Sequence, residues 1–598
     1  MNKAEKFYQE SEKKYHSEAH KLKQQHRVIA TVRVAFFVFS ISLLVYFANQ
    51  RAIYNLTSSL VFFLAIFVIL VKKHQRISYR LQLANFLKSI NQNEQQRLHG
   101  NFKEITPNGA EYQDLKHAYS SDLDIFGKNS LFQFISRTAT TLGGNTLASW
   151  LKNKAEKIEI TARQEAVKEL SEKVEWRQEF QARGMFAKAT PQDVQLFSDW
   201  LHKKPILFHQ KIYLFLPIIF SLSAITTLVL YFVFDFPLIY PFAALIFNGL
   251  IIGKTAKKIT ALFTETVKHL ETLTAFSHLI SMIENASFSS SKLQELQQKL
   301  VVENEIASKQ IGQLTKILQN LEARNNVFFA LSINLVFLYE IIFTWQLEKW
   351  KSKRKTSLLQ WFQVVADFEA LNSFAALSFS YPEFCFPKIS EKPFVYKAKN
   401  LGHLLIDKKN SVSNDFELHG KGKITIITGS NMAGKSTFLR TLGVNATLAL
   451  AGSPVCASEL EISCFDTFTG LRISDSLEEN VSAFYAELQR IKMLFDKLEN
   501  GETVFFMLDE ILKGTNSKDR HTGVYNIVKR LISQKAFGLI STHDLELASL
   551  SNSYQEIENK SFGSSITEGT LKFNYKLENG ICKSFSATQL MKNIGIIE

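Results

Sequence analysis

Cysteine and proline are scarce in this chain. Four cysteines, Cys385, Cys456, Cys464 and Cys582, occur in 598 residues, and no two stand at C-x-x-C spacing. That argues against a disulfide framework or a thiolate metal centre and leaves reduced, largely buried thiols. Only ten prolines accompany fifty phenylalanines, a balance that points to a helix-rich, partly lipid-embedded chain. No internal repeat or long low-complexity tract is present, and no cleavable signal peptide is expected, because the first apolar run starts late and lacks a small-residue cleavage site. Acidic residues number 56 against 70 Lys and Arg, for a formal net charge of +14. The excess suits an anionic partner, nucleic acid or a lipid surface, and equally the basic flanks of membrane segments. A chain of this length is expected to hold several domains.

What the chain does have is long apolar runs in pairs. Val34 to Ala48 and Ile53 to Val71 are separated by Asn49-Gln50-Arg51 and followed by Lys72, Lys73 and Arg76. A second pair, Ile212 to Phe234 and Phe236 to Ile252, is broken at Asp235 and bracketed by Lys203, Lys204, Lys211, Lys254, Lys257 and Lys258. Runs of roughly 17–25 apolar residues can span a bilayer. The first run is marginal unless it is extended back to about Ile29, which draws in Arg33 near the interface. The basic brackets put both ends of each hairpin on the cytoplasmic side. Met1 to Arg33 reads as an exposed basic helix leading to the membrane. Ile160 to Glu175 reads as a charged helix, and Ala256 to Glu284 and Ser291 to Arg324 as long amphipathic helices. Val327 to Phe343 is a third apolar stretch, but Asn334 and Glu340 interrupt it, and it is expected to be a buried helix. Tyr381 to Pro393 carries prolines and reads as a boundary.

The C-terminal part carries the chemistry. Ile424 to Thr428 is an apolar β-branched run, Gly429 to Ser436 fits G-x-x-x-x-G-K-[ST], and Thr437 to Leu450 reads as a helix. Gly429 and Gly434 permit conformations a Cβ would obstruct. Ser430, Asn431, Met432, Ala433 and Thr437 complete a loop whose N–H groups would surround phosphate oxygens. Lys435 would neutralise the β- and γ-phosphates and Ser436 would ligate Mg²⁺. Val504 to Leu508 is a second apolar run, ending in Asp509 and Glu510; the first acid suits the Mg²⁺ shell and the second suits polarising a water. A third run, Phe537 to Thr542, ends at His543, placed to sense the γ-phosphate or that water. Loop, paired acids and strand-end histidine in this order point to a Mg²⁺-dependent ATPase.

These residues resemble the MutS family of DNA mismatch repair ATPases. Thr428 to Thr437 is similar to that family's TGPNMGGKST loop, departing at Ser430 and Ala433. Phe468-Thr469-Gly470-Leu471-Arg472 followed by Ser482 to Glu487, Asp509 to Thr515, and Ser541-Thr542-His543 resemble its further motifs. The resemblance covers about Leu401 to Ile597, and more weakly Leu123 to Leu170 and the long helices up to Phe386. It implies a composite site in a head-to-tail homodimer, with Ser482 reaching the γ-phosphate held by the neighbouring subunit. It also implies that Asn431 touches phosphate and that Asn414 lies near the nucleotide. Where the family stacks an aromatic on adenine, only Ser411 matches. The soluble mismatch-recognition domain has no counterpart, since the first hairpin stands in its place.

The expected fold is α plus α/β: membrane hairpins and an all-α MutS-like core and lever, then a P-loop (ABC-like) α/β ATPase domain. The expected units are a basic N-terminal helix (1–33), hairpin 1 (34–71), the first core segment (72–211), hairpin 2 (212–253), a long-helix lever (254–393) and the ATPase domain (394–598). The expected function is an ATPase anchored in the cytoplasmic membrane and coupled to DNA, with ATP and Mg²⁺ as ligands. Lipid bilayer, a second copy and DNA are the expected partners. The alternative is an ATP-driven membrane assembly acting on lipid, solute or a protein partner without DNA.

Overall fold

The computed structural model describes residues 3–187, 199–208, 210–267, 270–325, 333–407, 409–430, 432–472, 483–513, 516–567 and 570–582. Helix predominates among them, and apart from one short hairpin the strands begin at Lys388. The chain opens with helices α1 (Lys3–Asn49) and α2 (Ile53–Leu98), reversed at Arg51, whose φ is +53°. Helices α3 (Thr141–Lys152), α4 (Lys157–Glu172) and α5 (Val174–Gly184) follow. A second reversed pair comes next, α6 (Ile212–Phe234) and α7 (Ile239–Val267), with Asp235 at φ +53° closing α6. Helices α1, α2, α6 and α7 are long and apolar enough to cross a membrane. Their apolar stretches leave Phe37, Phe39, Phe62, Ile69, Phe232 and Phe242 exposed, as suits a lipid face.

Helices α8 (Leu270–Glu284) and α10 (Ala307–Glu322) then pack on α11 (Tyr339–Ser380), while α9 (Ser291–Gln298) packs on α4. The second half of α11 is buried nearly all round: Trp361, Val365, Phe368, Leu371 and Phe374 are inaccessible, which is how a helix through the middle of a core should read.

Beyond α11 lie two sheets. One is four-stranded, in the order β3 (Lys388–Ile389), β7 (Glu459–Ile462), β4 (Val395–Leu401), β5 (Asn414–His419). The other has six strands in the order β12 (Thr570–Asn579), β11 (Ile557–Thr567), β6 (Ile424–Gly429), β10 (Phe537–Thr542), β9 (Val504–Asp509), β8 (Asp466–Gly470). Its pairings from β11 to β8 are parallel, and β12 closes one edge antiparallel. Strands β6, β9 and β10 are buried at every position, as expected for a parallel sheet covered on both faces. Helices α12 (Lys435–Ala451), α13 (Ala483–Glu499) and α14 (Ser517–Ser533) cover it.

Four expectations need correcting. The N-terminal helix is not exposed all round: Ala4, Tyr8, Ala19 and Leu22 are buried, and Tyr8 Oη lies 3.0 Å from Ser380 Oγ of α11. The charged helix expected over Ile160 to Glu175 ends at Glu172, and Lys173 joins it to α5. Ser291 to Arg324 is not one helix. Val301–Val302 (β1) and Glu305–Ile306 (β2) pair around Glu303 and Asn304, both at positive φ (+52° and +62°), the geometry of a tight hairpin turn that a helix does not tolerate. Finally, the third apolar stretch is not one buried helix. Residues 327–332 lie outside the described residues, and at Leu338 the backbone takes φ +50°, which ends the preceding turn and makes α11 a new start.

Candidate functional site

The carboxyl ends of β6, β9 and β10 meet at one edge of the six-stranded sheet, where parallel sheets offer a crevice. In register, Thr542 of β10 pairs with Thr428 of β6 and Ser541 pairs with Asp509 of β9. The loop after β6 needs its glycines. Gly429 has φ +155° and a Cβ there would come within 2.9 Å of the Phe562 carbonyl; Gly434, at φ +102°, would meet Tyr575 Cδ1 at 3.1 Å. Helix α12 then starts at Lys435, so its first free N–H groups face the loop.

Two of the residues singled out in the sequence, Lys435 and His543, converge with Lys513 on the Glu510 carboxylate. Glu510 Oε1 lies 3.5 Å from Lys435 Nζ, and Glu510 Oε2 lies 3.0 Å from Lys513 Nζ and 3.7 Å from His543 Nδ1. Burial opposes ionisation of Glu510, but Lys513, Lys435 and His543 together outweigh it and hold its carboxyl below the usual range. It is therefore a ready acceptor at neutral pH. Lys435 Nζ also donates to the carbonyls of Gly429 (2.7 Å) and Ser430 (3.0 Å). Ser436 Oγ donates to Asp509 Oδ2 at 2.5 Å, and Ser541 Oγ donates to Asp509 Oδ1. Hydroxyl and carboxylate thus stand side by side, as a shared divalent cation requires.

The cleft above them has a volume of about 790 Å³. Ser430, Met432, Gly434, Lys435, Ser436 and Thr437 line its floor. Ala433 is buried beneath, and the buried Ser430 Oγ has no partner among the described residues. Asn414 lies in the wall, and its amide is committed: Nδ2 donates to the Tyr575 carbonyl (3.0 Å) and Oδ1 accepts from Leu577 N–H (2.8 Å). Asn431 and Ser482 lie outside the described residues. Ser411 does line the cleft, and so do three residues the sequence reading passed over, Tyr575, His403 and Lys513. Tyr575 sits on an edge strand with no motif around it, so only the folded wall reveals an aromatic there. His403 is pushed down to about 4 by burial and by the neighbouring Arg440, so it is a neutral imidazole at neutral pH.

The helical core is fastened to this site from behind. Asp122 accepts from Thr469 Oγ1 (2.7 Å) and from the N–H groups of Leu471 (3.1 Å) and Arg472 (3.2 Å). Asp124 takes both terminal nitrogens of Arg472 at 2.6 and 2.8 Å. Leu123, between the two acids, occupies the space a side chain at Gly443 would need.

Residues 425–596 match the family described as MutS domain V. Over that part the chain is a MutS-family protein. The DNA mismatch repair protein MutS of Thermotoga maritima is 28% identical over 249 residues, which is 41% of this chain and 30% of that protein. The protein of the same description from Thermotoga neapolitana is 29% identical over 243 residues, 39% of this chain and 29% of its own length. That from Thermosipho melanesiensis is 27% identical over 238 residues, 39% and 28% respectively. The matched part thus spans about 30% of the curated relatives' length. In this MutS-family chain, α1, α2, α6 and α7 all lie outside residues 425–596.

Proposed function

We propose that this chain is a membrane-anchored, MutS-like ATPase that binds Mg²⁺–ATP in the cleft above β6 and couples its hydrolysis to DNA at the cytoplasmic face. The observation that carries the reading is the convergence of Lys435, Lys513 and His543 on Glu510 beside the Ser436–Asp509 contact. An incoming triphosphate would draw Lys435 from the loop carbonyls to its β- and γ-oxygens and leave Glu510 free to polarise a water. Ser436 and Asp509 would hold the cation, which supplies charge neutralisation at the phosphates. Loop N–H groups and the α12 terminus would fix the phosphate position, so that positioning and electrostatics do most of the chemistry. His543 would orient the water or the Glu510 carboxylate from the neighbouring strand end. A homodimer is part of this reading, because the family's site is composite. Helices α1, α2, α6 and α7 would form two membrane hairpins, with the sheet domain in the cytoplasm.

The test is ATP turnover by the full-length chain in lipid nanodiscs, with and without linear duplex DNA, across a salt titration. Turnover that vanishes in Lys435→Ala and rises with DNA at low salt, fading as salt releases the phosphate contacts, supports the reading. Unchanged hydrolysis in Lys435→Ala refutes the site. A second reading, a membrane assembly driven by ATP without DNA, is favoured by α11, which runs unbroken from the second hairpin into the core. Activity set by lipid and indifferent to DNA would select it.

A further inference from the structure

The second hairpin has a companion in the apolar layer, and its geometry follows from four contacts. Arg324, near the end of the α10 segment, donates to Thr260 Oγ1 of α7 at 2.8 Å. Its Nε also lies 3.6 Å from Glu340 Oε1, in the first turn of α11. The Arg324 and Glu340 side chains therefore meet beside Thr260 of α7. Leu335 and Val336 touch the same helix further along. Asn248 Nδ2 donates to the carbonyls of Leu335 (2.8 Å) and Val336 (3.4 Å), and Leu335 lies against Gly249. From Thr260 to Asn248 is twelve residues of α7, about 18 Å. Lys254, Lys257 and Lys258, the basic collar of the hairpin, lie in between. Leu335 and Val336 are thus on the apolar side of the collar, about 9 Å beyond Lys254, while the Arg324 guanidinium, at Thr260, is on the other side and the Glu340 side chain reaches back to it.

The chemistry of the turn fits that depth. Positive φ at Leu338 breaks the helix, and a broken helix among apolar groups needs outside partners for its backbone. Asn248, fully buried within a helix otherwise built for lipid, provides one, and Asn334 Oδ1 accepts the Glu340 N–H at 3.0 Å. Leu338 and Ile341 bury themselves against Ile259, Tyr213, Leu216 and Phe220, whereas Ile333 (38% exposed) and Phe337 (45%) point outward. A membrane span would part Arg324 and Glu340 by the roughly 30 Å of the hydrocarbon layer, and they are 3.6 Å apart.

We propose that residues 333–338 are a re-entrant element: they lie within the bilayer beside α7, turn at Leu338 and lead into α11 on the side where Arg324 stands, presenting Ile333 and Phe337 to lipid acyl chains. This rests on the hairpins crossing a bilayer, and the test separates the two ideas. In the full chain with its four cysteines replaced by alanine, single cysteines are placed at Asn325, Phe337, Lys349, Lys254 and Asp235, and proteoliposomes are treated with a membrane-impermeant maleimide from either side. Asn325→Cys and Lys349→Cys should label only from the Lys254→Cys side, Asp235→Cys only from the other, and Phe337→Cys from neither. Labelling of Phe337→Cys at the rate of Asn325→Cys, or Asn325→Cys and Lys349→Cys on opposite sides, overturns the re-entrant element alone. Asp235→Cys labelling with Lys254→Cys would instead sink the membrane hairpins. Should the cysteine-free background not fold, the unmodified chain in nanodiscs carrying an acyl-chain diazirine phospholipid decides. Crosslinks on 333–338 support the element, and crosslinks confined to α1, α2, α6 and α7 overturn it.

Discussion

The two apolar hairpins are joined to the rest of the chain in opposite ways. Hairpin α1/α2 stands on a two-helix stalk. Below Lys72 the first core contact of α2 is Tyr79, stacked on Phe186 at 4.6 Å, and the firm attachment is at Glu94, 23 residues and about 35 Å from Val71. There Glu94, buried with Arg97 and Arg137, takes both Arg137 Nε (2.9 Å) and Nη2 (2.7 Å). Hairpin α6/α7 is instead clamped at its base. Glu348 of α11 accepts the N–H groups of Ile206 (2.6 Å), Leu207 (2.7 Å) and Phe208 (2.8 Å), and Lys351 Nζ donates to the carbonyls of Trp200 (3.0 Å) and Lys203 (2.8 Å). In the proposed bilayer the first arrangement would tether, because motion there would reach the core only through a long coiled pair. The second would couple, because α11 is one continuous helix from the base of the hairpin to Ser380.

Breaking the stalk should cost most. Glu94→Ala leaves Arg97, Arg137 and Arg177 buried without their shared carboxylate. Burial first, and then the neighbouring Arg137, already push Arg97 down to about 10, and burial, with a smaller push from Arg137, does the same to Arg177. Losing one partner of such a buried cluster costs about 3–5 kcal/mol. The expected outcome is a lowered melting temperature together with new protease cuts in residues 72–98, while cuts around α6 and α7 stay unchanged. Equal loosening of both hairpins would break the comparison.

The clamp comes second. Glu348→Ala strands three backbone donors at the entry to α6, about 3 kcal/mol at roughly 1 kcal/mol each. Amide hydrogen exchange should speed up at residues 206–208 and along the first turns of α11, with α1 and α2 unaffected. Exchange unchanged at 206–208 would mean that the hairpin is held by apolar contacts only.

How much of this was legible in the sequence divides along the same line. The loop at Gly429 to Ser436, the acids at Asp509 and Glu510, and His543 could be found because the chemistry fixes their spacing within short segments, each at the end of an apolar strand. The four membrane-length helices announce themselves by length and composition. The joints do not. Asn248 and Leu335 are 87 residues apart, and Glu348 and Ile206 are 142 apart; each polar residue is a single letter in an apolar or charged stretch, with no local partner. The same reason hid the turn at Leu338, where an apolar run reads as continuous although one left-handed residue divides it. The re-reading of Met1 to Arg33 is of this kind too, since four small or apolar positions among many charges decide that the helix docks.

A pH titration sharpens the role of α11. Glu369 on that helix accepts the N–H groups of Ala139 (2.8 Å) and Thr140 (3.2 Å) at the start of α3, and also the Thr140 hydroxyl. Burial nevertheless pushes it up to about 7, more than these hydrogen bonds pull it down. The folded state then holds a proton that the unfolded chain releases near its ordinary value. Stability from this group is complete at acid pH and declines as pH rises from about 4.5 to 7, by roughly 2–3 kcal/mol. Glu369→Gln should flatten melting temperature against pH across that window, whereas the tethering contacts at Glu94 should still respond at lower pH.

The smallest effect tests the tether at its tip. Tyr8 Oη and Ser380 Oγ are 3.0 Å apart and buried, and they join the first turns of α1 to the last turn of α11. Tyr8→Phe keeps the ring against Phe7 and Phe379 and removes one hydroxyl, so the loss should be about 1 kcal/mol. If hairpin α1/α2 is a tether, this change shifts the melting temperature slightly and leaves ATP turnover in nanodiscs where it was. A fall in turnover out of proportion to the melting shift would mean that α1 reports to the cleft through the end of α11. Both hairpins would then be coupled to the ATPase, and the distinction between them would be one of stiffness only.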